Sequence, residues 1–411
     1  MKPIRGLLIT ADRFPAQRSD VRVLWEKKMS ARHYRLDWIM QSREALDRAV
    51  LQKHGSGEVL LGAMDTGRTF GARLRKHWFA IRNECRVFHR LKKVAYDFVL
   101  VRDKAIAAAL ALLAARRAGV PCFFWLSFPF PENSLYRVRQ GVARYPALYW
   151  VRGHFQFWLL YRVLLPRMDH VFVTSEQMKL DLIAYGIRGD RISAFSMGVD
   201  VESMRVAWQQ PSAAADRYTL VYLGEMARAR GLDFLLRAFQ RVHAVLPQAH
   251  LLMIGGSENP DDLLWLRHEA AILGVADAVE FTGQLPQQEA WRRLREARVA
   301  CSPFKPSPVL DSASPTKLAE YLYLGVPAVA NQHPEQSRVI AASGCGQIAA
   351  WDEDAFAAAA LHLLSLDDGA WQAMSERGRQ WVIAHRSYDV IAAALDAVIV
   401  NLLKESSCPS V

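Results

Sequence analysis

Short apolar runs alternate with longer amphipathic stretches along the first 200 residues of the chain. The amphipathic stretches at residues 21–36 and 104–118 predict helices. The apolar runs predict buried strands at residues 7–10, 37–40, 97–102, 121–126 and 170–175. Because buried strands alternating with helices are typical of a parallel sheet covered on both faces, the front of the chain is predicted to form such a sheet.

A second series of the same kind follows a polar connector at residues 209–216. Its strands are predicted at residues 219–224, 250–256, 279–283, 299–303, 327–331 and 345–349. Residues 233–246 predict an amphipathic helix, and residues 388–403 predict a long terminal helix. We therefore predict an N-terminal domain at 1–205, a C-terminal domain at 206–385 and a terminal helix within 386–411.

Charge divides the chain at the same place. Residues 1–200 hold 34 Lys/Arg and 17 Asp/Glu, a net +17, whereas the remainder holds 18 and 24, a net −6. A basic front half and an acidic back half predict different partners for the two domains, with something anionic facing the front one.

Two stretches of the front half combine basic and aromatic residues. Residues 68–93 contain nine Lys/Arg and the single acid Glu84, and residues 133–168 contain six arginines and no acid. Basic residues mixed with Trp, Phe and Leu are typical of a helix on an anionic bilayer surface. A helix whose aromatic residues belong to the core, and a nucleic-acid groove, are the alternatives. The predicted parallel sheet carries no recognised nucleic-acid motif, so we expect no nucleic-acid partner.

Composition narrows the cellular setting. No apolar run approaches the length of a membrane span, and the N-terminus lacks the pattern of a signal peptide. The five cysteines are scattered, and none has metal-binding or redox spacing. These features predict a cytoplasmic protein, peripheral on the inner face of the cell membrane.

The stretch at residues 308–330 carries the most informative local chemistry. Ser314 is predicted to cap a short helix with Pro315 at its first position, and Gly325 is predicted to end it. A helix N-terminus attracts anions, and Lys317 lies in that first turn. Glu320 lies three residues further and shares its face. This pattern suits a phosphorylated sugar; an ordinary capped helix with one surface ion pair is the alternative.

Four motifs together resemble glycosyltransferase family 4, a group of retaining enzymes. They are 222–233 (YLGEMARARGLD), 252–256 (LMIGG), 281–285 (FTGQL) and 314–330 (SPTKLAEYLYLGVPAVA), found in this order. The resemblance implies an α/β GT-B fold, with two Rossmann-like doubly wound domains facing across a cleft. It places a nucleotide sugar mainly on the back domain and the acceptor on the front, with the terminal helix crossing back to the front domain.

The resemblance also implies roles for matching residues. Glu320 matches the acid that binds donor ribose hydroxyls, and Arg230, with Arg228 nearby, matches the basic residue that holds the diphosphate. Lys317 is implied to assist that phosphate clamp, so Glu320, Arg230 and Lys317 are the predicted catalytic set. The other predicted donor contacts are Gly224, Gln284, Leu285, Ser314, Pro315 and Thr316. Asp20 and Arg102 are the predicted acceptor contacts.

This chain departs from the family pattern at several positions. The first acid of the family's spaced pair falls at Ser312, with Asp311 adjacent. Glu225 stands where a basic phosphate ligand is common, Ser19 and Asp20 replace a glycine pair, and residues 123–131 lack a family histidine. These departures bear on the sugar contacts and on the catalytic residue of the front domain.

The resulting prediction is transfer of a sugar, with retention, from a nucleotide sugar to a glycan or lipid-linked acceptor of cell-surface polysaccharide or glycolipid synthesis. A charge clamp needs no divalent metal, so we expect no metal or other cofactor. The one acidic triplet, residues 352–354, is predicted to lie in a solvated loop or at a helix start. A nucleotide-sugar epimerase and a non-catalytic sugar- or lipid-binding scaffold are the alternatives.

Overall fold

A computed structural model describes residues 3–67, 69–209 and 216–407 of the protein. The chain forms two compact units, one of residues 1–196 and 388–411 and the other of residues 197–387. Most of the predicted connector at 209–216 lies outside the described residues, as do Arg68 and Cys408.

The first unit contains an eight-stranded sheet in the order β3-β4-β2-β1-β5-β6-β7-β8. All neighbours are parallel except the hairpin pair β3 and β4. The strands are β1 Ile4–Phe14, β2 Tyr34–Ser42, β3 Val50–His54, β4 Gly57–Gly62, β5 Phe98–Arg102, β6 Cys122–Leu126, β7 His170–Val173 and β8 Ile192–Ala194.

Helices cover both faces of this sheet. The α-helices are α1 Phe70–Glu84, α2 Arg86–Lys93, α3 Ala105–Ala118, α4 Phe130–Arg139, α5 Pro146–Phe157 and α6 Glu176–Ala184. Residues Asp20–Met29 and Trp158–Leu164 are π-helical, and Leu165–Arg167 and Gly189–Arg191 form single 3₁₀ turns. Along β6, Phe124 packs into the core under α3, whereas Phe123 and Trp125 pack into the core on the opposite face. This alternation explains why the apolar runs carry no polar positions.

The second unit contains a six-stranded, fully parallel sheet in the order β11-β10-β9-β12-β13-β14. Its strands are β9 Asp216–Leu223, β10 His250–Ile254, β11 Val279–Gly283, β12 Ala297–Ser302, β13 Ala328–Asn331 and β14 Gly346–Ala349. Its helices are α7 Val201–Gln209, α8 Asp233–Val245, α9 Pro260–Ile272, α10 Gln287–Leu294, α11 Thr316–Tyr323, α12 Pro334–Ser343, α13 Glu353–Ser365 and α14 Asp368–His385. Two 3₁₀ turns, Arg228–Arg230 and Ala276–Ala278, complete it. Two doubly wound parallel sheets confirm the predicted fold class.

The last helix, α15 Tyr388–Ser407, packs within the first unit. It lies on the π-helical segment at 20–29, where Lys28 pairs with Asp389 at 2.7 Å. The Tyr388 hydroxyl donates to Ser19 Oγ at 3.0 Å, and the Tyr34 hydroxyl donates to Asp396 at 2.7 Å. Leu395 and Ile399 complete the apolar core on that side of the sheet.

The two units divide between Ser196 and Met197, before the predicted position of 205/206. The reason is α7, whose Met204 and Ala207 are buried in the second unit's core with Val221 and Leu318. In the same unit the Val199 amide donates to the Arg386 carbonyl at 2.8 Å. The first and last segments of the second unit are therefore neighbours.

Two predicted elements differ from the structure in the first unit. The helix predicted over 21–36 ends at Met29, because residues from Tyr34 onward pair with β1 as β2. The hairpin of β3 and β4 was not predicted, although the Gly55-Ser-Gly57 turn between two short runs is its sequence signal.

Candidate functional site

Strand order in the second sheet reverses between β9 and β12. In a doubly wound sheet the connections on either side of such a point leave in opposite directions, so a crevice opens at the carboxyl ends of the strands. The crevice begins at Gly224, which follows β9 and whose amide donates to the Ile254 carbonyl at 3.0 Å.

Two glycines keep the floor of this crevice open. Gly224 and Gly255 have φ values of +153° and +131°, which side-chain-bearing residues rarely adopt. A Cβ on Gly255 would lie 2.1 Å from the Gly224 carbonyl oxygen, and one on Gly224 would lie 3.3 Å from Lys317 Nζ. Glycine at both positions lets backbone and ligand approach closely.

The crevice is a cleft of about 610 Å³. The structure brings four of the predicted donor contacts together in its lining, and these are Gly224, Gln284, Leu285 and Glu320. Glu225, Glu258 and Trp291 also line it. A cleft of about 680 Å³ in the same unit is lined by the first residues of β9, β10 and β11. It lies at the amino ends of the strands, where sheets of this kind do not bind their ligands, so the smaller cleft is the candidate site.

Glu320 lies half-buried in the cleft on α11. Its Oε2 faces the Trp291 indole Nε1 at 3.5 Å. Burial raises the pKa of the Glu320 carboxyl to about 7, and the Trp291 hydrogen bond and the Lys317 charge oppose that rise only in part. A carboxyl with this pKa changes charge near neutral pH.

Lys317 lies one turn earlier on α11 and points to the end of β9. Its Nζ donates to the Tyr222 hydroxyl at 3.1 Å and lies 4.3 Å from the centroid of the Tyr222 ring. The Phe304 ring lies 5.5 Å from the same ammonium group. The Tyr222 hydroxyl donates in turn to the Glu225 carbonyl at 2.9 Å, which leaves its lone pair for Lys317.

Lys317 and Glu320 therefore have neutral partners. No ion pair within 4.0 Å joins these two described side chains, so the surface ion pair of the alternative interpretation is absent. Two charges without counter-ions, on one helix at a switch point, can stabilise a ligand that carries an anion and hydroxyl groups.

The start of α11 differs from its prediction. Ser314 does not cap the helix; its Oγ accepts a hydrogen bond from the Met197 amide at 2.8 Å. Pro315 occupies the cap position and Thr316 is the first helical residue. Because Ser314 is held by Met197, it connects the start of α11 to the first residue of the unit.

The predicted phosphate-binding arginines lie on the turn after β9. Arg230 pairs with Glu225 through Nη2 at 2.6 Å and Nε at 3.1 Å, and its side chain is 42% exposed. The Arg228 guanidinium stacks over the Trp265 ring at 4.7 Å. Neither arginine is among the residues that line the cleft. Contact of Arg230 with a diphosphate would require exchange of its partner Glu225.

The departures at residues 311 and 312 lie outside the cleft lining. Ser312 is buried in the turn before α11, and Asp311 is half-buried beside it. The neighbouring Leu310 carbonyl faces His333 Nε2 at 2.8 Å. Replacement of the usual first acid by either residue stays a prediction.

The predicted acceptor contacts Asp20 and Arg102 lie at the carboxyl edge of the first sheet, where its order also reverses. Arg102 is buried and pairs with Asp20 and Asp12 at 2.8 Å and with Asp103 at 3.1 Å. The Ser127 hydroxyl donates to Asp103 at 2.5 Å, in the segment that lacks the family histidine. Burial raises the pKa of the Asp103 carboxyl, and the Arg102 charge opposes this. Both predicted residues are engaged internally, and their contact with an acceptor stays a prediction.

Two residues of the site were missed from the sequence. Tyr222 reads as one more core position of β9, and its side chain is indeed almost fully buried. The feature that could have identified Tyr222 is its hydroxyl, which needs a hydrogen-bond partner when the ring is buried. Trp291 lies on α10, and its indole nitrogen gave the same signal.

No metal-binding group of three or more His, Cys, Asp or Glu side chains occurs in the part of the chain that the structure describes. In the acidic triplet, Asp352 caps α13 by accepting from the Ala355 amide at 2.9 Å. Glu353 pairs with Arg237 at 2.8 Å, and Asp354 pairs with Arg241. The triplet therefore belongs to a helix start. Across the described residues, no helix has both the length and the apolar character needed to cross a bilayer.

Comparison with solved structures finds the same fold at low sequence identity. Sucrose-phosphate synthase from Thermosynechococcus elongatus superposes with a TM-score of 0.70 at 18% identity, covering 98% of this chain and 100% of that one. The HepE protein of Anabaena, solved in complex with UDP, gives a TM-score of 0.67 at 12% identity, covering 97% and 100%. At these identities the likeness establishes the fold alone.

A sequence relative is the GDP-mannose-dependent alpha-(1-6)-phosphatidylinositol monomannoside mannosyltransferase of Mycobacterium tuberculosis. It is 26% identical over 209 residues, which cover 48% of this chain and 53% of the relative. The chain thus spans about half the length of the curated relatives that it matches.

Two family models match consecutive parts of the chain. Residues 29–203 match the model described as Glycosyltransferase Family 4, and residues 217–366 match Glycosyl transferases group 1. Together they span most of both units, and the second match contains the whole cleft lining. The chain therefore belongs to glycosyltransferase family 4 and has the GT-B fold.

Proposed function

We propose that this glycosyltransferase moves a sugar, with retention of configuration and without a metal ion, from a nucleotide sugar to a glycan or lipid-linked acceptor. The observation that carries the proposal is the pair of charges on α11: Lys317 and Glu320 lie at the switch point of the second sheet with neutral partners only. A nucleotide sugar offers the matching groups, a diphosphate and ribose hydroxyls.

The proposed donor contacts follow from the positions of these side chains. Glu320 lines the cleft and accepts hydrogen bonds from the ribose hydroxyls. Lys317, at the end of β9, balances the diphosphate charge. Gln284 and Leu285 line the same cleft and contact the base, and Gly224 leaves room for the sugar phosphate.

The phosphate clamp also includes Arg230 and Arg228, together with backbone amides of residues 314–317. Arg230 exchanges Glu225 for the diphosphate when the donor binds, because a diphosphate with two negative charges is a stronger partner than one exposed carboxylate. Fixed positive charges stabilise the leaving diphosphate as charge develops on it.

In the proposed reaction the bond between the anomeric carbon and the diphosphate oxygen breaks, and a bond from that carbon to an acceptor oxygen forms on the same face. A phosphate oxygen takes the proton of the acceptor hydroxyl. Glu320, Arg230 and Lys317 hold the donor and its leaving group through this step. Because these cations balance the charge, the step needs no divalent metal.

We further propose that the acceptor belongs to cell-surface polysaccharide or glycolipid synthesis on the inner face of the cell membrane. Support comes from the net charge of +17 over residues 1–200, which favours an anionic surface. The M. tuberculosis relative is named for a phosphatidylinositol mannoside acceptor. Asp20 and Arg102 remain our proposed acceptor-side residues.

Release of nucleoside diphosphate from a panel of nucleotide sugars tests this function, first without acceptor and then with membrane lipid extract. We expect release with one nucleotide series, unchanged by EDTA, and an α-configured donor to give an α-linked product by NMR. Failure to release diphosphate from any donor would favour a sugar-binding scaffold. Recovery of an epimerised nucleotide sugar instead would favour the epimerase alternative.

A further inference from the structure

We propose that α4 and α5 of the first unit form a docking surface for an anionic lipid bilayer. This inference rests on the proposed membrane acceptor and names the part of the molecule that meets the membrane. The interpretation of residues 133–168 as an ordinary core helix is correct for Tyr161 and Leu164, which are buried, but wrong for most of α5.

Helix α5 is attached along one narrow side only. Gly153 is its buried residue, and a Cβ there would lie 2.7 Å from the Leu135 side chain. The glycine therefore lets α5 lie directly on α4. At the end of α5, Phe157 packs against Tyr161 and Tyr185, and most of the remaining α5 surface is exposed.

An apolar stripe runs along that outer surface. It consists of Leu148, Val151, Phe155 and Trp158, spaced three, four and three residues apart, which places them on one helix face. Their exposed fractions are 62, 58, 57 and 54%. The Phe155 and Trp158 rings are 6.2 Å apart, so the end of the stripe is one continuous aromatic surface. A contiguous exposed apolar surface of this kind marks an interaction site.

Cations and interfacial aromatic residues surround the stripe. Arg144 and Arg152 are exposed beside it, and Arg137 and Arg139 are exposed on α4. No acid occurs between residues 133 and 168. Tyr145 and Trp150 are exposed at 56 and 54% and suit the headgroup level of a bilayer. An apolar stripe with a rim of cations matches an anionic bilayer.

This charge pattern disfavours two other partners for the α4–α5 surface, a second copy of this chain and a nucleic acid. In a two-fold symmetric contact between two copies, the same arginines would face each other with no acid to separate them. A nucleic acid would bind the arginines but would leave Leu148 and Val151 without a partner, because aliphatic side chains give bases no flat surface for stacking.

The other basic stretch lies on the same side of the first sheet. Val87 of α2, Ala111 of α3 and Leu160 of the π-helical segment belong to one core cluster under that face. On α1, Trp78 and Ile81 are 64 and 37% exposed. Both basic stretches therefore cover the same face of the first sheet.

Vesicle flotation with the full chain tests this surface, using phosphatidylcholine vesicles with and without phosphatidylglycerol. We expect strong binding only with phosphatidylglycerol, weakened by salt. We expect Leu148→Glu/Phe155→Glu to lower the vesicle partition coefficient about a hundredfold, because each lost apolar contact lowers it about tenfold. We expect Arg144→Gln/Arg152→Gln to lower this coefficient about 25-fold on anionic vesicles, because each lost charge lowers it about fivefold.

The matched control is Leu264→Glu/Ile272→Glu on α9, where the native side chains are 64 and 65% exposed. We expect this variant to bind vesicles like the wild type. Salt-insensitive binding to both vesicle types, no binding, or full binding by the stripe variant would overturn the docking surface. So would wild-type self-association that the stripe variant abolishes. Nucleotide binding is measured on every variant to separate the docking surface from the proposed function. A protein that binds vesicles but no nucleotide would contradict the proposed function and leave the docking surface supported.

Discussion

The two sheets reverse their strand order at equivalent points but use them differently. In the first sheet the switch point between β1 and β5 is filled by Arg102, which pairs with Asp12, Asp20 and Asp103. In the second sheet the switch point between β9 and β12 opens into a cleft of about 610 Å³.

The difference teaches that topology provides an edge for ligand binding and side chains decide whether it stays open. The charged groups of the first edge pair with one another, whereas Lys317 and Glu320 at the second edge have an aromatic hydroxyl and an indole as partners. A neutral partner positions a charge without cancelling it, so the second edge remains available to a charged ligand.

The largest effect should come from Arg102→Ala. Removing the cation leaves three carboxylates together, two of them buried, which should cost the first unit about 3–5 kcal/mol of unfolding free energy. Hydrogen–deuterium exchange resolves the units, and we expect faster exchange in β5 and unchanged exchange in β9. Arg18→Ala, whose side chain is 45% exposed beside Asp20, is the control and should change little. Equal exchange in Arg102→Ala and wild type would contradict the structural role of the cluster.

The second effect concerns Lys317→Ala, which removes the ammonium group at the end of β9. By analogy with loss of one fixed charge or donor at a developing anion, kcat should fall about 100-fold or more. Initial rates of diphosphate release measure this. Lys305→Ala removes an exposed lysine of the same unit, outside the cleft lining, and serves as the control. A normal kcat for Lys317→Ala would remove Lys317 from the phosphate clamp.

The third effect is pH dependence set by Glu320. Its pKa, raised to about 7, favours the protonated form of the folded protein, so stability should fall as pH rises between about 4.3 and 7. Donor affinity should change the opposite way, because only the carboxylate accepts hydrogen bonds at both oxygens, and should rise through pH 7. In Glu320→Gln both profiles should be flat, with affinity about tenfold weaker at pH 8. Isothermal titration calorimetry measures donor affinity over this pH range. Parallel changes of affinity in wild type and Glu320→Gln would contradict the assignment of the pH dependence to Glu320.

The smallest effect is expected for Tyr222→Phe, which keeps the ring beneath Lys317 and removes only the hydroxyl. Loss of one neutral hydrogen bond should lower kcat/KM about fivefold. Tyr222→Leu also removes the ring and should lower it further. If Tyr222 positions Lys317, the Tyr222→Phe effect should vanish in a Lys317→Ala background, whereas additive losses would show that the hydroxyl acts independently.

The hydrophobic pattern was sufficient for the fold because buried parallel strands leave an uninterrupted signature. Residues 97–102, 121–126 and 279–283 were placed within a residue or two of β5, β6 and β11. The prediction was wrong where a helical stretch runs directly into a strand. Residues 21–36 were predicted as one helix but include both a π-helical segment and the start of β2. It also missed the β3–β4 hairpin, whose first strand is largely exposed.

The site was predictable only in part. Gly224, Gln284, Leu285 and Glu320 were identified from motifs, and the structure brings them together. The partners Tyr222 and Trp291 were not, since a buried aromatic residue in a strand or helix reads as core until its polar atom is traced to a neighbour. Ser314 failed as a cap because Met197, more than 100 residues earlier, supplies a competing hydrogen bond that no local pattern contains.

Thermal stabilisation by nucleoside diphosphates and nucleotide sugars tests the central claim most directly, namely that the cleft of the second unit binds the donor. A ligand that binds only the folded state raises its melting temperature. We predict a shift with one nucleotide series that is lost in Glu320→Ala and Arg230→Ala and kept in Leu264→Glu/Ile272→Glu. A shift retained in both Glu320→Ala and Arg230→Ala, or no shift with any nucleotide for well-folded protein, would contradict the account.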